Sequence, residues 1–250
     1  MPTDRVPLDR PDSPPTLEAL LQRARGLAGK SVAMLGKQVG HRVPRSLHGH
    51  KGFVGMCVEL ALGAKAKSSP EPDFPHLGVE LKTIPVRSDG RPTEATHVCV
   101  AALDGSELRE WRASLVYRKL ARVLFVPIED PPDTALRDRR IGMPWLWLMG
   151  PDEEAVLQRD WSELGARIRA GEVDSIRGVD GVALQLRPKS QTAADTTAGI
   201  GDEGWLVSTQ PRAWYLRPSL HRRALAARLR ARAGRRPGRG EVTPTEEPTP

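Results

Sequence analysis

The chain has 250 residues, with 38 Lys plus Arg against 31 Asp plus Glu for a formal charge of +7; 39% of residues are apolar and 28% charged. That balance closes a core beneath a charged surface, excludes a wholly disordered chain, and suits one domain with frayed ends or two small ones. Two cysteines, Cys57 and Cys99, far apart in apolar stretches, exclude a thiolate metal site and read as buried thiols of a reducing compartment.

Residues 1 to 15 carry five prolines and almost no apolar side chains, so they read as a Pro-rich disordered leader. Without the apolar core of a signal peptide, and with apolar runs too short to span a bilayer, a cytoplasmic protein with no membrane association is expected. From Thr16, a cap-type residue, apolar positions at Leu17, Leu20, Leu21, Ala24 and Leu27 predict a helix closed near Gly29. A short helix over 31–38 follows, then a His- and Arg-containing loop over 40–51. A helix over 52–62 comes next, its Gly52, Gly55, Glu59 and Gly63 falling on one stripe.

The alternation of residues 77–86 predicts a strand, and strands are also expected over 96–102 and 122–128, with a helix over 110–120 between these two. Pro151 and three acids open a helix through about Ala170. Short strands at 183–187 and 214–217 and a final helix over 219–232 complete a mixed α/β order. Residues 221–250 hold eight arginines against three glutamates, so this tail carries +5 of the net charge and leaves +2 for the body. Two readings of the tail stand: an electrostatic footprint for nucleic acid or an acidic partner, and a solubilising end.

Three motif-like patterns lack the context their chemistry needs. Gly29-Lys30-Ser31 has Ala24 where a phosphate-binding loop needs glycine, and follows a helix rather than a strand. The glycines at 199, 201 and 204 match a dinucleotide pattern, but no strand is expected before them, so a polar loop is the better reading. His48-Gly-His50 has no thiolate or carboxylate cluster at ligand spacing. No Gly-x-Ser-x-Gly elbow for acyl chemistry occurs.

The pattern with chemical content is Asp73 followed by Glu80-Leu81-Lys82. On a strand Glu80 and Lys82 share a face, and a loop aspartate just upstream supplies a second carboxylate. Two carboxylates make a hard oxygen site suited to Mg²⁺, and a nearby ammonium can orient an attacking water or neutralise charge at phosphorus. Alone the pattern is weak, and a surface ion pair on an exposed strand is the alternative. Lys82 is one of only eight lysines in a chain with 30 arginines, and arginine does not replace a compact ammonium. Glu59, on its glycine-lined stripe, is a third acid for the same site.

The stretch Lys51-Gly-Phe-Val-Gly-Met-Cys-Val-Glu59, with Glu71-Pro-Asp73-Phe and Leu77-Gly-Val-Glu80-Leu-Lys82-Thr-Ile-Pro-Val, closely resembles the MutH mismatch-repair endonuclease family. The similarity continues through Thr96-His-Val-Cys-Val, Arg118-Lys119-Leu, Leu184-Gln-Leu-Arg187-Pro188-Lys189 and Trp214-Tyr215-Leu, and covers about residues 16–222. The resemblance implies a restriction-endonuclease-like α/β fold, a central mixed sheet flanked by helices around a DNA-binding cleft between two subdomain arms. It implies catalytic roles for Asp73, Glu80, Lys82, Glu59 and Lys119, with Asp73, Glu80 and Glu59 toward Mg²⁺, for which Mn²⁺ could substitute. It makes Lys51, Arg187, Pro188, Lys189 and Tyr215 DNA-binding positions. The implied activity is nicking of the unmethylated strand at hemimethylated GATC sites in double-stranded DNA, by a monomer stimulated by MutL and indirectly by MutS. Phe53 stands where this family often has tryptophan, and the Arg-rich tail has no matched counterpart. A methylation-insensitive restriction-type nuclease and a noncatalytic DNA-binding repair module are the alternatives.

Overall fold

The computed structural model describes residues 11–47, 49–50, 52–64, 70–189, 192 and 194–220. Thr16 accepts the backbone N–H of Ala19 to start α1 (Leu17–Arg25), and Ser31 accepts that of Met34 to start α2 (Val32–Gln38). Ser31 of the loop-like Gly29-Lys30-Ser31 run is thus a helix cap. Helix α3 spans Phe53–Leu62. These three helices bury Leu20, Leu35, Val58 and Leu62 in one core.

Strands β1 (Glu80–Val86) and β3 (Arg122–Glu129) pair in parallel, and β4 (Trp145–Leu148) adds antiparallel to β3. Alternation divides this sheet between two cores. Leu81, Leu124 and Val126 face the helical layer, while Ile84, Val123, Phe125, Trp145 and Trp147 face a second cluster. That cluster is roofed by α4 (Leu115–Leu120), α5 (Pro151–Arg169) and an antiparallel sheet of β2 (Thr96–Val100), β8 (Arg212–Leu216) and β5 (Leu184–Pro188). The expected central mixed sheet is present as three strands between these layers.

The differences from expectation have local causes. Helix α4 begins at Leu115 rather than near 110, because Ser114 accepts the Tyr117 N–H as a cap and donates its hydroxyl to the Trp111 carbonyl. Strand β4 was not anticipated: its run is apolar on both sides because Trp145 and Trp147 enter one core while Leu146 packs against the other, which erases alternation. Residues around the glycines at 199–204 form a hairpin, β6 (Thr197–Ile200) and β7 (Leu206–Thr209), instead of a polar loop. A Cβ on Gly199 would lie 2.6 Å from the Thr209 methyl, and Gly204 turns at φ +80°, so packing and the turn account for these glycines. Of the expected final helix, residues beyond 220 lie outside the described residues, as does the Arg-rich tail.

Candidate active site

Glu80 opens β1 and is only 3% exposed, so the alternative of a surface ion pair is removed. Both carboxylate oxygens meet amines: Lys82 Nζ lies 2.7 Å from Oε1 and Lys119 Nζ 3.0 Å from Oε2. Lys82 reaches its partner because residues two apart on a strand share a face. Lys119 comes from the last turn of α4 and also donates to the Glu71 carbonyl at 2.6 Å. One ammonium thus ties a helix to the first residue of β1 and to the loop before Asp73. A Phe74–Val79 bridge and a 3-10 turn over Pro75–Leu77 fold this loop back, and Asp73 Oδ2 accepts the Leu81 N–H at 2.8 Å. The second acid is thereby fixed beside the strand that carries the first. Glu59 projects from α3, which lies close on β1: a Cβ on Gly55 would sit 3.4 Å from Thr83 Oγ1.

A second constellation lies on the antiparallel sheet. The register aligns His97, Tyr215 and Gln185 across three strands. Arg187 places its guanidinium 5.4 Å from the Tyr215 ring centre, and the His97 ring meets Tyr215 edge-on, also at 5.4 Å. Lys189 Nζ stands 2.7 Å from His97 Nε2. Burial first, then Lys189, Lys82 and Lys119, push His97 down to about 4, so its ring is neutral and Nε2 accepts from the Lys189 ammonium. Lys82 Nζ lies 3.4 Å from the Val98 carbonyl, next to His97 on β2, so the two constellations are neighbours. Pro188 pairs with Arg212 at the end of β5. Lys51 and His48 lie outside the described residues. His97 was not singled out from sequence, because its only signal is a cross-strand register.

A family model described as DNA mismatch repair enzyme MutH matches residues 62–160, a span holding Asp73, Glu80, Lys82 and Lys119. The DNA mismatch repair protein MutH of Shewanella baltica is 47% identical over 206 residues, 82% of this chain and 92% of the relative. The corresponding protein of Shewanella oneidensis is 46% identical over 204 residues, with 82% and 92% covered, and that of Yersinia enterocolitica 45% over 208, with 83% and 91% covered. The chain belongs to the MutH family. It is therefore a DNA endonuclease of mismatch repair with the restriction-endonuclease-like fold of MutH proteins. Among the described residues no helix is long and apolar enough to cross a membrane.

The electrostatics of this site set its carboxyls against one another. Burial first, then Glu80, raise Asp73 to about 6 against the Leu81 hydrogen bond and Lys82. Burial likewise raises Glu59, opposed by Lys82, with Glu80 adding and Lys119 subtracting. A divalent ion would relieve such crowding, and Asp73 with Glu80 would supply the one or two carboxylates that Mg²⁺ takes while keeping its waters. Among the described residues no three His, Cys, Asp or Glu side chains gather as a metal cluster. Glu59 bears on the site through its charge, which acts on Asp73.

Asp73 has a measurable consequence without metal. Its folded pKa lies above its ordinary value of 3.8, so the native state holds the proton more tightly and this group's stabilisation is lost as pH rises from about 4 through about 6. In EDTA, wild type is expected to lose more melting temperature between pH 4.5 and 7.5 than Asp73→Asn. Parallel pH profiles for the two proteins would contradict this.

Proposed function

We propose that this protein nicks the unmethylated strand of double-stranded DNA at hemimethylated GATC sites, 5′ to the guanine, using Mg²⁺ or Mn²⁺. The observation that carries this reading is the buried Glu80 bracketed by Lys82 and Lys119, beside Asp73 and adjoining the Arg187–Tyr215 platform. Asp73 and Glu80 would hold the cation, with Glu59 adding negative charge nearby. When bound, the cation supplies Lewis-acid stabilisation of charge on the phosphate.

The remaining work falls to the chain's own groups. Lys82 directs the Glu80 carboxylate and offers an ammonium to the charge that builds as water attacks phosphorus. The new P–O bond forms as the bond to the 3′ oxygen breaks, and that oxygen takes a proton, leaving a 5′-phosphate and a 3′-hydroxyl. Lys119 is a positioning residue through its hold on Glu80 and the Glu71 carbonyl. In the major groove, Arg187 would read guanine and Tyr215 would sense an adenine methyl group, with Pro188 shaping the loop. Lys189 and Lys51 would contact phosphates.

The nuclease body would span 16–222 as two arms. A monomer would act in methyl-directed repair, stimulated by MutL after mismatch recognition by MutS. Supercoiled plasmids test the reading directly: nicked circles are expected from unmodified and hemimethylated sites and none from fully methylated ones. Linear product formed regardless of methylation would instead establish a restriction-type nuclease. Arg187→Ala is expected to lower the preference for GATC over unrelated DNA by about 10- to 100-fold, matching the 1–3 kcal/mol of a bidentate base contact. Lys51→Ala should weaken binding uniformly. Equal losses from Arg187→Ala on cognate and unrelated DNA would refute that division.

A further inference from the structure

At the other end of the central sheet lies a cavity of about 900 Å³, formed by α2, the loop after it and the segment around Leu136. Lys37, Arg42, Arg45 and Arg137 line it together with His41 and His50, and among the described residues no carboxylate does. The lining is otherwise small or apolar: Val43, Pro44 and Leu136 with two alanines. Among the described residues Lys37, Arg42 and Arg45 have no ion-pair partner, and Arg137 has only the exposed Asp138 at 4.0 Å. Four like charges around one concavity repel one another and contribute nothing to the core, so stability does not explain their placement.

The chemistry of the lining narrows the ligand. Arginine forks match phosphate oxygens bidentately, and several in one place suit a multiply charged phosphate chain. Among the described residues no Phe, Tyr or Trp lines the cavity, so the charged groups dominate what it offers a ligand. A duplex backbone, with one charge per 1.7 Å of axis, needs only such a row of cations.

Position adds a length. Strands β1 and β3 run parallel, Glu80 lies where β1 begins, and the chain reaches Leu136 after β3 ends, where the Asp130 N–H donates to the Val86 carbonyl. Seven strand residues put roughly 20 Å between the two ends. That corresponds to about six base pairs.

We propose that this cavity is a second DNA-backbone site, gripping duplex phosphates about six or more base pairs from the cleaved linkage. The inference rests on the reading of the protein as a DNA endonuclease, and concerns none of the residues assigned to cleavage or base reading.

The test compares the full chain with a triple variant, Lys37→Ala, Arg42→Ala, Arg45→Ala, on a 10-base-pair and a 30-base-pair duplex with the site at the centre, in EDTA. The variant should lose tenfold or more in affinity for the long duplex at low salt and less than twofold for the short one. Its plot of log K against log salt on the long duplex should become shallower by up to about 2.7, at 0.9 per phosphate contact. Equal losses on both lengths, or no loss on either, overturn the proposal, provided that melting curves show both proteins folded. Wild-type nicking of hemimethylated plasmid separates the two readings. Normal nicking without length contrast removes the cavity's role alone. Wild type that neither nicks nor binds any duplex removes both.

Discussion

Lys82→Ala is expected to slow single-turnover nicking at least about a thousandfold while leaving duplex affinity within a few fold. Removing one preorganised electrostatic group from a water-poor site costs on the order of 10²–10³ in rate. Lys82 has a further task, because its ammonium lies 2.7 Å from a carboxylate that is otherwise buried, and its loss frees Glu80 to swing toward Lys119 alone. Glu80→Ala is a poorer probe, since it leaves two amines facing each other without their acid and is expected to lower stability as well. The Lys82 side chain is 16% exposed, so truncation there leaves a smaller structural deficit.

Lys82→Arg keeps the charge and changes its shape, replacing a compact ammonium by a planar fork. It is expected to remain at least a hundredfold impaired, which would locate the requirement in geometry. The measurement is the rate at saturating enzyme on a hemimethylated duplex with Mg²⁺, alongside a melting curve. A Lys82→Ala rate within tenfold of wild type, with an unchanged melting temperature, would remove Lys82 from the chemistry.

How much of this was legible in the sequence depends on how local each signal is. Glu80 and Lys82 were readable because a period of two is a property of the strand itself. Asp73 was readable as a nearby acid, although the bond that fixes it, from the Leu81 N–H, needs the turn over Pro75–Leu77. Lys119 has no local signal. A basic residue in the last turn of a helix reads as a partner of the helix dipole, and only the packing of α4 on the sheet takes it 39 positions back to Glu80.

The same limit hid His97 and the basic cavity. His97 acquires meaning from Tyr215, 118 positions on, through strand register. Lys37 and Arg137 come to line one cavity only because α2 packs against the segment after β3, where Val32 donates to the Arg139 carbonyl. The fold class was accessible because the three principal strands and the long helix have strong periods. Strand β4 was not, because its four residues, Trp145 to Leu148, are all apolar and too few to show a period.

Asp160→Ala is expected to destabilise the protein by roughly 3–5 kcal/mol, although Asp160 touches no residue of the candidate site. It stands mid-way along α5, is 1% exposed, and gives one oxygen to three backbone N–H groups: Val182 at 2.8 Å, Ala183 at 2.6 Å and Leu184 at 2.9 Å. Truncation strands three donors where the chain enters β5, and those of Ala183 and Leu184 carry the desolvation cost of a buried, unpaired amide. Asp160→Asn keeps a carbonyl oxygen there and should lose less, because neutral acceptors bond more weakly than charged ones. At about 2–4 °C per kcal/mol for a chain of this size, the alanine variant should melt roughly 10 °C or more below wild type. Because β5 ends in Arg187 and Pro188, the fraction that stays folded should also show weakened site preference before cleavage itself fails. A loss under 1 kcal/mol in denaturant titration would mean that the 182–184 backbone finds other acceptors, and that the tie from α5 to β5 is not what holds the reading strand in place.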